Sequence, residues 1–235
     1  MGRDAALRLC PGDTPLTSVD TAPILMSARV ASLATLLAIL TGTPLAWLLG
    51  RHRFRGQALI EGVVLLPLVL PPTVLGYYLL VLVSRSAPLG HFFDGLGLEL
   101  AFTWRGAVLA AWVGSLGLYV RAAQAGFELV DSRLEDAART LGRSEWSVFR
   151  AVTLPLAWRG LAAGTALAFC RAVGEFGITL MVAGNIPGRT QTVPLAIYDY
   201  VQANRMAEAN ALSLLTLVVV ALLLLLARRG SGARL

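Results

Sequence analysis

Lysine is missing altogether from this chain of 235 residues, and its 20 basic residues are all arginine. That bias points to genome composition rather than to a functional demand for guanidinium groups. No G-x-x-x-x-G-K-[ST] loop is present, so the chain cannot build a nucleotide-phosphate cradle of its own. Cysteine is almost missing too. Cys10 and Cys170 lie in a polar N-terminal stretch and in an apolar run, and neither a disulfide framework nor a metal site can be argued from them. Charge is scarce at 14%, against about 25% in an average soluble domain. An ordinary soluble fold is thereby excluded. What is abundant is apolar: 56% of residues are hydrophobic and the mean hydropathy is +0.69, the composition of an integral membrane protein.

Apolar runs that meet the ~20-residue criterion for crossing a bilayer occur at about Ile24 to Leu49, Ala58 to Val83, Gly106 to Phe127, Leu156 to Ala183 and Ala209 to Ala227. The expected fold is an all-α integral membrane protein of about five transmembrane helices. Residues 1–22 lack the continuous apolar core of a signal peptide and read as an exposed tail; 23–228 form the membrane domain; 229–235 form a cytoplasmic tail. A net charge of +6 and a pI near 10.1 would raise nucleic-acid binding in a soluble protein. In a helical membrane protein they record arginines retained on the cytoplasmic side, so lipid and not nucleic acid is the expected surrounding. Segments 50–57, 128–155 and 228–235 hold ten arginines, whereas 1–23, 84–105 and 184–208 hold six over a greater length. The positive-inside rule therefore puts the N-terminus outside and the C-terminus, with Arg228, Arg229 and Arg234, inside. Trp47, Trp104 and Trp158 fall near span ends, as interfacial anchors or as ordinary packing.

Between the third and fourth spans lies a polar stretch, 131–155, with the marks of two short helices on the cytoplasmic side. Ser132 followed by Glu135 reads as a capping box, Leu134, Ala138 and Leu141 share one face, and Gly142 stands where a helix stops. Ser144 can cap a second helix with Trp146, Val148, Phe149 and Val152 on its apolar face, and Leu154-Pro155 closes the segment. A structured amphipathic hairpin at a membrane surface implies a partner.

Within the spans, Pro67, Pro71 and Pro72 should break or kink the second helix, because each removes a backbone donor and crowds the preceding turn. The bend suits a moving pathway or a static one. Gly160, Gly164 and Ala168, four apart, allow another helix to approach closely. Glu175 inside a span costs about 2.5 kcal/mol or more unless it is paired or functional. Arg171 stands one turn earlier, so the two form either an i, i+4 ion pair that holds helices together or part of a gate. Gly184 to Thr192, with Pro187, Gly188 and Arg189, is a Gly/Pro-rich outer connection.

D-A-A-x-x-x-G, then nine residues, then V-T-L-P, resembles the coupling motif of ABC importer permeases, carried here by Asp136, Ala137, Ala138, Gly142, Val152, Leu154 and Pro155. The family pattern starts with glutamate and has isoleucine where Val152 stands, both conservative departures. The run A-V-G-E-F-G-I-T-L-M-V-A-G-N-I-P-G-R-T-Q-T-V-P-L-A-I-Y resembles molybdate permease subunits, and E-G-V-V-L-L-P-L-V-L-P-P-T-V-L-G-Y and F-T-W-R-G-A-V-L-A-A extend the likeness over about Thr35 to Leu226.

The resemblance implies a type I ABC importer permease of the bacterial inner membrane that works as a homodimer. Its partners would be two cytoplasmic ATPases, which hold ATP and magnesium and dock on the hairpin, and an external molybdate-binding protein. The chain itself would bind no cofactor or metal and would be no enzyme. The hairpin, with Arg139, Arg143 and Arg150 reaching acidic or carbonyl groups around its rim, would transmit nucleotide-driven closure to the spans. Arg171, Glu175, Gly177, Asn185, Arg189, Pro71 and Pro72 are then the candidates for gate and pathway, with the 184–192 connection meeting the anion or its carrier, or plugging the outer mouth.

Sulfate, thiosulfate and tungstate permeases are the nearest alternatives. An intramembrane hydrolase, suggested by Gly114-Ser115-Leu116-Gly117, lacks a base, since His52 and His91 fall in opposite-side connections. A nucleotide-independent transporter would leave the hairpin without a task, and the chain shows no internal repeat of the kind secondary transporters carry.

Overall fold

The computed structural model describes residues 21–230, with side chains through Leu225. Most of the expected tails, including Cys10 and Arg234, lies outside the described residues. α1 spans Ala22–Arg51, and Pro44 sits within it without ending it. α2 (Gln57–Val69) and α3 (Pro72–Val83) are bent by 113° at Leu70-Pro71. Together they have the form of a broken span or a re-entrant loop. α4 (Pro88–Gly95) follows, then α5 (Trp104–Glu128), capped by the Thr103 hydroxyl on the Gly106 amide. α6 (Ser132–Thr140) and α7 (Glu145–Val148) form the hairpin. A π turn over Phe149–Thr153 leads into α8 (Leu154–Val173), which is followed by α9 (Gly177–Ala183), α10 (Val193–Gln202) and α11 (Met206–Gly230). Four helices are long and apolar enough to cross a membrane, five if the bent pair is counted as one span.

Apolar burial does not drive helices together inside lipid, so contacts there depend on small residues that let backbones meet. The core follows that rule. Ala31, Ala34, Ala38, Ala107, Ala110 and Ala123 are fully buried, while Leu25, Leu40 and Leu217 face outward. α5 is the central element, packed on α1 and α8. Gly126 and Gly160 meet so closely that a Cβ on Gly160 would lie 2.5 Å from Gly126 Cα, and a Cβ on Gly164 would lie 3.0 Å from the Tyr119 carbonyl. The small residues foreseen in the fourth span thus form its contact with the third. Across the other face of α5, the Tyr119 hydroxyl and Thr43 Oγ1 are 2.6 Å apart.

Three expectations need correction. The fourth span is not one helix over 156–183: α8 ends at Val173, and the chain leaves helical geometry before α9 begins. Pro155 stands in the first turn of α8, where the next span is expected to begin, but the helix does not break there, because Glu145–Val173 continues through the π turn as one rod. The capping box is not formed. Asp131, one residue earlier, is the N-cap and accepts from the Arg133 amide at 2.9 Å, while Glu135 turns inward.

Candidate functional site

The hairpin is locked internally at three points. α6 ends in a Schellman closure, with Arg143 N–H donating to Ala138 C=O (3.2 Å) and Gly142 N–H to Arg139 C=O (2.9 Å). Gly142 has φ +77°, a conformation that a side chain would strain. Ser144 caps α7 through the Ser147 amide, as its position predicts. Arg139 then spans the turn, donating to both Glu145 oxygens (2.8 and 3.1 Å) and to Asp136 (2.7 Å). Those bonds, Glu145 first, raise the Arg139 guanidinium above its ordinary pKa. Arg139 is therefore engaged within the hairpin and is not held out toward a rim.

Ala137 and Asp136 are exposed, Ala138 is half-buried, and the face read as apolar looks outward, with Leu141 83% and Trp146 69% exposed. Leu134 is exposed beside them. Val152 and Leu154 are half-buried and Pro155 is exposed at the start of α8, so the motif's two ends belong to one rigid corner rather than to one surface patch. Phe149 anchors that corner, stacking with Trp146 and Phe127 and meeting Trp47 edge-on at 5.6 Å.

The local pattern assigns Glu135 only a capping role and assigns Arg51 and Thr153 no contact with it. Glu135 is 5% exposed, forms an ion pair with Arg51, and accepts from the Thr153 hydroxyl at 2.6 Å. Arg51 also donates to Val130 C=O at 2.8 Å. An unforced signal existed in Arg51, the last residue of the first span. A second polar cluster went unread: buried Gln124 on α5 donates to Glu61 (3.3 Å) and to Glu128 (3.0 Å), and Gln57 donates to Glu61 at 3.0 Å.

Five pathway candidates meet where two spans are interrupted. A Cβ on Gly177 would lie 2.7 Å from Pro72 Cβ, and one on Gly76 would lie 3.0 Å from Ile178 Cα, so α3 and α9 run side by side from adjoining starts. Glu175, 2% exposed, pairs with Arg171 and accepts the Ile178 amide on its other oxygen at 3.0 Å. It also packs on Gly114, where a Cβ would lie 2.8 Å from Oε2. The carboxylate thus joins the end of α8, the start of α9 and the middle of α5. The i, i+4 ion pair is formed, and a bond to the first turn of α9 is added to it.

Asn185 and Arg189 lie elsewhere, in a connection that folds on itself. Thr190 Oγ1 donates to Gly184 C=O and accepts from the Ile186 amide (both 3.1 Å), Gln191 donates to Asn185 (3.0 Å), and Val193 N–H donates to Ser27 Oγ (2.8 Å). Arg189 lines a depression of about 540 Å³ shared with Arg29, Trp104, Arg105, Asp94 and Glu99. Arg29 sits 3.9 Å over the Trp104 ring, which gives that tryptophan a specific contact. Ser115 Oγ donates to Ala111 C=O at 2.7 Å, so the hydroxyl of the G-S-L-G run is consumed by its own helix.

Sequence comparison finds 50% identity over 188 residues, 80% of this chain and 82% of the relative, to the molybdenum transport system permease protein ModB of Escherichia coli K12. The putative molybdenum transport system permease protein YvgM of Bacillus subtilis is 41% identical over 75% of this chain and 78% of its own length. A probable sulfate transport system permease protein, cysT of Chlorokybus atmophyticus, is 36% identical over 77% of this chain and 67% of its own. Among solved structures, the MetNI methionine ABC transporter in inward-facing form superposes with a TM-score of 0.71 at 16% identity, covering 93% of this chain and 97% of that one. A bacterial ABC transporter that imports alginate gives 0.71 at 16% identity over 92% of this chain and 79% of that one. At such identities these two establish the fold. Residues 42–230 match the description of the binding-protein-dependent transport system inner membrane component, and this multi-pass membrane chain belongs to that family.

Proposed function

We propose that the chain is the membrane-spanning subunit of an ATP-driven importer that carries molybdate into the cell, working as a homodimer with two cytoplasmic ATPases and an external molybdate-binding protein. The observation that carries the coupling is the hairpin. It is ordered from within, yet Leu134, Leu141 and Trp146 stand exposed on it, an arrangement that suits insertion into a partner's cleft. Nucleotide chemistry belongs to that partner, because this chain has no phosphate-binding loop. The positive-inside count supports an external N-terminus and a cytoplasmic hairpin and C-terminus.

Molybdate, an oxyanion of molybdenum, is favoured by the bacterial relatives named as molybdenum transport permeases at 41–50% identity. Sulfate is the second reading, on the strength of the 36% identical sulfate permease. Uptake of labelled molybdate under competition separates them: excess tungstate should compete and excess sulfate should not, and strong inhibition by sulfate alone would reverse the assignment. For the coupling, Leu141→Asp should release the ATPase from the permease during purification. Full retention of the ATPase would remove the hairpin from that role.

A further inference from the structure

The hairpin reaches the rest of the molecule by two different routes. Toward the fourth span the connection is covalent, since Glu145–Val173 is one continuous rod through the π turn. Toward the first span there is no such continuity. The polar link is a single carboxylate: Glu135, the one buried residue of α6, pairs through Oε2 with Arg51, the last residue of α1, and accepts on Oε1 from Thr153, the last residue of the π turn. Arg51 extends the link to the α5–α6 connection through the Val130 carbonyl. Four segments therefore share one charge pair, its carboxylate buried and its guanidinium half-buried. Of the hairpin's other charged residues, Asp136, Arg139 and Glu145 are exposed and bond to one another, and Arg139 also approaches Glu135 to 3.9 Å.

α1 is a 30-residue helix, and its far end is also attached. Ser27 accepts the Val193 amide, where the 184–192 connection enters α10. From Arg51 back to Ser27 is 24 residues, about 36 Å of helix at 1.5 Å each. A displacement delivered to Arg51 is thus carried by a stiff rod to the outer connection.

We propose that Glu135 and Arg51 are positioning residues that pass the hairpin's movement to the first span, and through it to the outer connection that closes over α10. This deepens the reading of the hairpin as the ATPase-docking element and rests on it. An ion pair suits the task, because its partners are held in one geometry and pull as well as push, whereas the apolar contact of Trp47 with Phe149 resists only compression.

The test uses the assembled transporter in proteoliposomes with ATP, the external binding protein and labelled molybdate, and reads ions imported per ATP hydrolysed. Loss of folded transporter alone leaves that ratio unchanged. Glu135→Gln and Arg51→Gln should each lower it about fivefold with hydrolysis maintained, and Arg51→Lys should recover most of it. An unaltered ratio in both glutamine variants overturns the proposal. Should those variants not assemble, Thr153→Val keeps the ion pair and removes one hydroxyl donor; about a twofold fall is expected, and no change overturns the proposal as well. Failure of the underlying reading looks different: Leu141→Asp would then keep its ATPase bound, whatever the ratio in the Glu135 and Arg51 variants.

Discussion

Helices are interrupted in two regions of this chain, and the two are built from opposite materials. At the hairpin the interruption is closed by polar groups at the surface: a capping aspartate and serine, a glycine at φ +77°, and an arginine spanning two short helices. At the α2/α3 and α8/α9 breaks it is closed by shape, with Pro72 against Gly177 and Gly76 against Ile178, and one ion pair inside. Water explains the difference. Exposed backbone groups of the hairpin can fall back on solvent, so its bonds select one geometry at small cost; within lipid an unmet amide costs several kcal/mol, so the break must be filled and satisfied from the start. The surface corner should therefore tolerate substitution, and the membrane break should not.

The largest effect is expected at the break. Gly177→Leu pushes side-chain atoms into Pro72 and should destabilise the permease by about 3 kcal/mol, read as a fall in thermal midpoint in detergent, whereas Gly62→Ala in α2, with open space around it, should hold or gain stability. Next comes Glu175→Gln, which weakens the bonds to Arg171 and the Ile178 amide and should cost about 2 kcal/mol, with import per ATP unaltered in the folded fraction. A lowered ratio in fully folded transporter would instead return Glu175 to the gate. Gly142→Ala should cost about 1 kcal/mol, the penalty of a Cβ in left-handed geometry, since nothing crowds the position. Smallest is the cap: Asp131→Ala should cost about 1 kcal/mol or less at this exposed helix, and Ser132→Ala about nothing. Chemical denaturation of the two variants side by side checks which residue caps α6, and equal losses would reinstate Ser132.

Sequence reasoning reached the hairpin's second cap, its glycine stop, the proline break and the small-residue stripe, because each depends on residues within a turn or two of one another. It failed at Glu135 for a physical reason. Ser132 and Glu135 satisfy the local capping pattern, but Arg51, 84 positions away, offers the carboxylate a stronger partner than a backbone amide can. The break after Val173 escaped notice similarly, because its apolar run is unbroken apart from Arg171 and Glu175. The helix ends at its Gly174 cap, and Glu175 then turns to the Ile178 amide while it packs on Gly114 of another span.

Composition and spacing alone decided that the chain is a bundle of membrane helices with a polar, glycine-hinged corner, since hydropathy, proline and glycine act within a segment and need no neighbour. Tertiary structure alone decided which interior charges are joined: Arg51 to Glu135 across two spans, and Glu175 to the end of one helix, the start of another and the middle of a third. In a low-dielectric interior a charge must find a partner, and which partner stands near enough is set by how the rods pack, a matter no local pattern contains.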